Sequence, residues 1–194
     1  GAMTETVNAA YAGTTTEIHT QGVEFFNIQA DATANIDCTD TTGMTRVYVD
    51  DDNTAAATTL TDLKSGVKVY FTTGVTASSL TVDMESATGS SDVLDVELVS
   101  SVGTSTFTVT NVETVNMDVE GAFNLDLGAM TMATAGVHST LNLTGDSALT
   151  LSGVDTDIRT IDGSGMTTGG HSGGNLGQNS LSGHISTTTF GGVA

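Results

Sequence analysis

The sequence predicts an all-β protein folded as a right-handed parallel β-solenoid, in which short coils stack as in a β-helix. The first reason is an internal repeat: Phe26-Asn27-Ile28 returns 89 residues later as Val115-Asn116-Met117, and Asn35-Ile36-Asp37 returns as Asn124-Leu125-Asp126. The second is composition, since 5% aromatic residues and no Trp suit a core of stacked aliphatic layers. The third is the lack of proline, which leaves every backbone N–H able to join a ladder.

Five segments alternate apolar with polar residues, and each predicts a strand with one buried face. In chain order these segments are 45–49, 67–71, 80–84, 93–98 and 106–110. Clusters of Gly, Ser, Asp and Asn between them supply the turns. Residues 54–64 are ambiguous, because three alanines favour a helix there while Thr58 and Thr59 oppose it.

The chain divides into three parts. Residues 1–3 are interpreted as a cloning remnant, so the numbering is expected to begin and end inside a longer natural protein, with any export signal outside it. Residues 4–166 are the predicted repetitive β-solenoid domain. Residues 167–194 are rich in glycine and form either a terminal coil or a tail.

Charge sets the partners that the chain can have. Four basic residues face 23 acidic ones, for a net charge of −19. This charge excludes nucleic acid and anionic membrane surfaces as partners, and no apolar run is long enough for membrane insertion. Self-repulsion opposes compaction unless counter-ions bind, and clustered carboxylates select Ca²⁺ over softer metals. Ca²⁺ is therefore the predicted cofactor.

The candidate Ca²⁺ ligands are carboxylates beside strand ends and in turns. They are Asp50, Asp51, Asp52, Asp92, Asp118, Asp155 and Asp157. The alternative for residues 50–53 is a solvated acidic loop, and the alternative for Asp92 is a carboxylate that accepts turn N–H bonds. Glu24 and Glu113 recur at equivalent places in the repeat, as do Asp37 and Asp126, and for these four the role of turn acceptor is favoured.

No catalytic signature is present in the sequence, so we predict that the protein is not an enzyme. The four histidines lack zinc-site spacing, and Gly163-Ser164-Gly165 falls short of a nucleophile elbow. Aromatic residues are too few for the sugar platforms of a glycosidase. The single cysteine, Cys38, is expected to be a buried, protonated residue.

Two stretches carry a resemblance to a known family. Residues 86–98, followed by 111–117, contain the paired phrases T-G-S-S-D-V-L-D-V-E-L and N-V-E-T-V-N-M. Residues 141–151, leading to 161–165, contain L-N-L-T-G-D-S-A-L-T-L and I-D-G-S-G. In order and spacing these phrases resemble the β-solenoid lattice region of RTX-type, type I-secreted bacterial surface-layer proteins, over roughly residues 22–38 and 86–166.

The resemblance implies a structural component of a bacterial surface layer, displayed on the cell surface, that folds with Ca²⁺ and assembles with copies of itself into an extracellular lattice. It makes Asp92 the best-placed ligand by motif. A cell-surface polysaccharide contact would lie outside this fragment. The alternative is a module of a large RTX-like adhesin that binds a host or biofilm ligand, since such adhesins carry similar phrases. The intact nonapeptide G-G-x-G-x-D-x-h-x of the family is missing, and only residues 190–194 hint at one.

Overall fold

The computed structural model describes residues 4–9, 15–17, 19–30, 33–51, 57–73, 79–85, 91–100, 104–110, 112–121, 123–126, 139–147, 149–152, 158–167, 171–173, 180–183 and 185–187. In these segments the chain forms strands joined by turns. The strands are β1 (Thr4–Ala9), β2 (Thr15–Glu17), β3 (Thr20–Gln21), β4 (Phe25–Ala30), β5 (Ala34–Asp37), β6 (Thr41–Thr42), β7 (Arg46–Asp51), β8 (Ala57–Leu63), β9 (Lys68–Thr73), β10 (Ser79–Met84), β11 (Val93–Ser100), β12 (Thr104–Thr110), β13 (Thr114–Val119), β14 (Phe123–Asp126), β15 (Ser139–Gly145), β16 (Leu149–Ser152), β17 (Ile158–Met166), β18 (His171–Gly173), β19 (Ser180–Gly183) and β20 (Ile185–Thr187).

The strands build two parallel sheets that the chain visits in turn. Sheet A has the order β1-β4-β7-β9-β11-β13-β15-β17-β19, and sheet B has the order β2-β5-β8-β10-β12-β14-β16-β18-β20. A small third sheet pairs β3 with β6. Each circuit of the chain thus adds one strand to sheet A and one to sheet B, which is the architecture of a β-solenoid. The predicted all-β fold of stacked parallel coils is confirmed, while its right-handedness and its Ca²⁺-binding turns stay predictions.

Neighbouring coils differ in length. Phe25 pairs with Arg46, 21 residues further along the chain, whereas Lys68 pairs with Asp95, 27 residues further along. The strand core stays in register because the difference is taken up in the connections between strands. This tolerance follows from the parallel ladder, which constrains the strands and leaves the corners free to vary.

The 89-residue sequence repeat spans four coils. Followed from strand to strand, Phe26 aligns with Met117, whereas the sequence repeat pairs it with Val115. In sheet A the sequence alignment is therefore displaced by two residues. A displacement of two keeps every side chain on its own face of the sheet, so the predicted burial survives. Both apolar pairs, Phe26 with Ile28 and Val115 with Met117, are buried, and the two asparagines between them are half-buried.

One apolar core fills the space between sheets A and B. Its residues recur at every second position of the strands, as in the alternating burial of β10 and β13. Four buried residues from successive coils form one column in sheet B: Ile36, Leu60, Val82 and Val109. Burying each such side chain contributes about 1.5–3 kcal/mol, so the core is assembled from many similar increments.

All five predicted strands are present, each with slightly different ends. The helix considered for residues 54–64 is wrong where the structure describes it, because Ala57–Leu63 is β8. Thr58 and Leu60 are buried there, and the packing of β-branched and apolar side chains against neighbouring coils outweighs the helix propensity of alanine. Within the described segments the chain forms no helix, and hence none able to cross a membrane.

Glycine is required at the corner that ends β15. Gly145 has φ 116°, and a Cβ built there would lie 2.7 Å from the backbone nitrogen of Val119 on the preceding coil. Gly66 also has a positive φ of 85°, but a Cβ there would meet nothing within 4 Å. A substitution at Gly66 therefore introduces backbone strain alone, whereas a substitution at Gly145 introduces both backbone strain and steric overlap.

We predict that Gly145→Ala lowers the free energy of unfolding by about 2–5 kcal/mol, because it adds overpacking to backbone strain. Gly66→Ala is the matched control, and it should cost only the strain, about 1–2 kcal/mol. Urea denaturation of both variants measures the difference. Equal losses would contradict the close approach of the two coils at Gly145.

Candidate functional site

The structure describes the backbone of four of the seven predicted Ca²⁺ ligands, and these four are distributed over three coils. Asp50 and Asp51 are the last two residues of β7, so the predicted turn begins later than expected. Asp92 lies at the corner that leads into β11, and Asp118 lies in β13 on the outer face of sheet A. Asp52, Asp155 and Asp157 lie outside the described residues. Among the residues that are described, no three or more acidic, His or Cys side chains converge on one point.

Two carboxylates meet at the Asp92 corner. Glu113 occupies the equivalent corner of the next coil, where its backbone N–H donates to the carbonyl oxygen of Asp92 at 3.2 Å. The Glu113 side chain is only 5% exposed, and its Oε2 accepts the backbone N–H of Asp92 at 2.8 Å. The Oδ2 atom of Asp92 is buried and has no hydrogen-bond partner among the described residues.

An unpartnered buried carboxylate oxygen is costly, and in native proteins it commonly indicates an unseen water or ion. Neither Asp92 nor Glu113 forms an ion pair with a described basic residue. This corner therefore has oxygen atoms and negative charge to offer to a cation.

The favoured role of turn acceptor is confirmed for two of the four repeated carboxylates. Glu113 accepts the corner N–H of Asp92, as described above. Asp37 Oδ1 accepts the hydroxyl of Thr39 at 2.6 Å and its backbone N–H at 2.9 Å, and these bonds hold the pKa of the Asp37 carboxyl below its usual value. The Glu24 side chain is exposed, and the side chain of Asp126 lies outside the description.

A ladder of side-chain hydrogen bonds runs across the outer face of sheet A. Asn142 Nδ2 donates to Asn116 Oδ1 at 2.9 Å, and Asn116 Nδ2 donates to Asp95 Oδ1 at 2.8 Å. These residues are direct neighbours in the strand register. Each amide is polarised by the next, and the chain of bonds ends on a carboxylate, which strengthens the last bond. Beside this ladder, Thr144 donates to Asp118 at 3.0 Å.

Aromatic and basic residues occupy the same face on earlier coils. The rings of Tyr48 and Tyr70 stack with centroids 4.4 Å apart, and the Arg46 guanidinium lies 5.1 Å from the centre of the Phe25 ring. Lys68 Nζ lies 4.9 Å from the centre of the Tyr70 ring.

Lys68 joins the aromatic residues to the acidic ones. Its Nζ donates to Glu97 Oε2 at 2.7 Å. Partial burial disfavours the charged form of Lys68, but the hydrogen bond and the charge of Glu97 outweigh it, so the pKa of Lys68 lies above its usual value. Lys68 is therefore charged at any physiological pH, and it contacts both the aromatic residues and the acidic residues of this face.

Two concave regions lie on the described surface. A small depression of about 130 Å³ lies among Lys68, Asp95, Asn116, Asp118 and Thr144. An open groove of about 550 Å³ lies beside β3 and β6, where His19 Nδ1 and Asp40 Oδ2 are 2.8 Å apart. Both are open to solvent and contain charged side chains, unlike the enclosed apolar pockets that hold most small ligands.

Comparison of the chain with protein-family profiles, with curated proteins and with solved structures found no match. The functional argument therefore depends on the geometry of the chain itself.

Sequence reasoning missed the outer face of sheet A. Its residues occupy alternate positions of successive strands, as Arg46 and Tyr48 do in β7 and Lys68 and Tyr70 do in β9. The sequence does contain the signal, because basic and aromatic residues recur at the outward-facing positions of successive strands. It was hidden because the coils differ in length, so no fixed period aligns the strands.

Cys38 is buried, as predicted. Burial first, and then the nearby carboxylates of Asp37 and Asp62, raise the pKa of Cys38 to about 12. The thiol is therefore protonated at neutral pH and packs as a small apolar side chain.

We predict that folded protein at pH 8 reacts with DTNB far more slowly than protein unfolded in urea. With a thiol pKa about four units above that pH, roughly one molecule in ten thousand carries a thiolate, and the reagent cannot reach it. The absorbance of the released chromophore gives both rates. Equal rates in the folded and the unfolded protein would contradict the burial of Cys38.

Proposed function

We propose that this chain is a structural module of a bacterial surface layer, which assembles with copies of itself outside the cell and carries out no catalysis. One observation carries the proposal: the outer face of sheet A holds its side chains in place by hydrogen bonds between coils. Asp95, Asn116 and Asn142 are already ordered by one another. A face that is ordered before contact loses less side-chain entropy on association.

The shape of this face supports the same proposal. Parallel strands in register repeat outward groups at intervals of about 4.8 Å, so the face offers a regular array and not a cleft. The depression around Asp95 and Asp118 is small and open to solvent. Such a surface suits contact with another extended surface better than capture of a small molecule.

Calcium fits the corner of Asp92 and Glu113 by its chemistry. Asp92 Oδ2 is a buried oxygen without a partner, and Glu113 adds a second buried carboxylate beside it. These two residues would hold the ion, which would neutralise their charge at that corner. Weak sites, with dissociation constants of about 10⁻⁴–10⁻³ M, fill at the millimolar Ca²⁺ found outside cells and stay empty in the cytosol. Folding would then be coupled to export.

The alternative is a module of a large secreted adhesin. It is favoured by the cluster of Phe25, Arg46, Tyr48 and Tyr70, because aromatic rings next to a guanidinium suit an acidic glycan. In that case the ligand would be a foreign molecule and not a copy of the chain.

We predict that Asp92→Asn removes most of the stabilisation that Ca²⁺ gives to this corner. An ion at ten times its dissociation constant stabilises the fold by about 1.4 kcal/mol, and the variant loses a charged ligand. In EGTA the same variant should be slightly more stable than the parent, since it removes an unpartnered buried charge. Thermal melts in EGTA and in millimolar Ca²⁺ measure both effects.

The matched control is Asp95→Asn, which removes the same charge three residues away and keeps an oxygen that can accept the bond from Asn116. It should leave the difference between the Ca²⁺ and EGTA melts unchanged. If Ca²⁺ stabilises Asp92→Asn and the parent equally, Asp92 does not bind the ion, and its role is limited to the packing of the corner.

We predict that the parent chain forms ordered two-dimensional arrays in millimolar Ca²⁺ and disperses in EGTA. Negative-stain electron microscopy detects the arrays, and light scattering follows their formation. Mg²⁺ at the same concentration is the control, because it gives the same ionic strength but binds weakly to flexible carboxylate sites. A chain that stays monomeric in Ca²⁺ at high protein concentration would overturn the self-assembly proposal.

A further inference from the structure

The outer face of sheet A divides into two halves of opposite character. The basic half covers strands β4, β7 and β9, and it carries Phe25, Arg46, Tyr48, Lys68 and Tyr70. The acidic half covers strands β11, β13 and β15, and it carries Asp95, Glu97, Asn116, Asp118, Asn142 and Thr144. Two of the four basic residues of the whole chain thus lie side by side on one face. Glu24 precedes the basic half, and Arg159 on β17 follows the acidic half.

Each half contains charged groups that form no ion pair among the described residues. Arg46 is exposed and stacks on Phe25, and no described carboxylate forms an ion pair with it. Asp95 and Asp118 accept hydrogen bonds from Asn116 and Thr144, which are neutral donors. On a chain of net charge −19, an exposed arginine that has no carboxylate partner indicates a partner that is acidic.

We propose that this face forms a two-fold contact with a second copy of the chain, in which the basic half of each copy lies on the acidic half of the other. This proposal rests on the self-assembly argued above and names its surface. The two-fold axis runs parallel to the strands, between β9 and β11. It therefore places β9 opposite β11, β7 opposite β13 and β4 opposite β15.

This axis brings together the groups that need partners. An axis parallel to the strands preserves position along them, so Arg46 faces Asn116 of the second copy and Tyr48 faces Asp118. Asp118 is two residues, about 7 Å, from the point opposite Arg46, which is within reach of an extended arginine side chain. A two-fold axis along the direction of coil stacking would instead place each half opposite the same half of the second copy, so that like charges would face each other.

The available area suits a weak contact that is repeated many times. Six strands at about 4.8 Å and six residues at about 3.3 Å give a face of about 600 Å² per copy. The total of about 1,200 Å² is at the lower limit for a specific interface. A single pair would therefore be weak, and an array would gain avidity from many such pairs.

The test uses two charge-reversal variants, each of which should lose self-association alone and regain it when the two are mixed. In a pair of Arg46→Glu copies, the introduced glutamate of each copy lies near Asp118 of the other, so both contacts become repulsive. In a pair of Asp118→Lys copies, the introduced lysine of each copy lies near Arg46 of the other, and both contacts are again repulsive. Each variant alone should lose self-association by at least about tenfold. In an equal mixture every contact between unlike variants is attractive again, so association should return to the parent's level. Sedimentation equilibrium at low ionic strength measures each case.

Lys64→Glu is the matched control, because it reverses a basic charge at the corner between β8 and β9, where Lys64 pairs with Glu85. Circular dichroism melts establish that all variants are folded. If the parent associates and the mixture fails to recover, this two-fold contact is overturned while self-assembly stands. If the parent does not associate at all, both proposals fail. If Arg46→Glu instead abolishes binding of polygalacturonate and leaves self-association unchanged, the basic half binds an acidic glycan and the contact is overturned.

Discussion

The structure depends on one constraint, the parallel in-register stacking of coils. In the inner strands of both sheets, most residues have a neighbour from the coil above and another from the coil below, about 4.8 Å away. Apolar residues gain from this arrangement, as in the column of Ile36, Leu60, Val82 and Val109. Charged residues are penalised by it, because like charges directly opposite repel. The distribution of acidic residues in the fold follows from this difference.

The acidic residues on the outer face of sheet A have neighbours that offset their charge in different ways. Asp95 lies between Lys68 and Asn116 in the register and accepts a hydrogen bond from Asn116. Glu97 and Asp118 are direct neighbours of like charge, and Lys68 offsets them through its ion pair with Glu97. The Asp92 corner is different, since Glu113 accepts the backbone N–H of Asp92 there, the Oδ2 atom of Asp92 has no partner, and no described basic residue forms an ion pair with either. A buried carboxylate oxygen without a hydrogen-bond partner is costly unless a water molecule or a counter-ion binds to it.

Alternation and composition predicted the fold class because burial in a two-sided coil has a period of two residues. They could not predict which strands are neighbours, since coils of 21 and 27 residues break any fixed period. The part of the repeat in sheet A was therefore aligned two residues away from the structural register. Asp92 was identified as a candidate from its turn, but its buried partner Glu113 was assigned a separate role, and the Asn116–Asn142 ladder was not seen. Such contacts join residues far apart in sequence, and only the register brings them together.

A chain of net charge −19 can still associate with its own copies, because salt screening makes electrostatics local. At physiological ionic strength the Debye length is about 8 Å, so charges on distant coils hardly repel one another. The groups within a few ångströms of the contact then decide whether two faces attract. Arg46 and Lys68 are few in number, but they lie on a face whose other half contains Asp95 and Asp118. Ca²⁺ at the corners and complementary charges on the face therefore solve different problems. The first would allow like charges to stack within one solenoid, and the second would allow two acidic solenoids to meet.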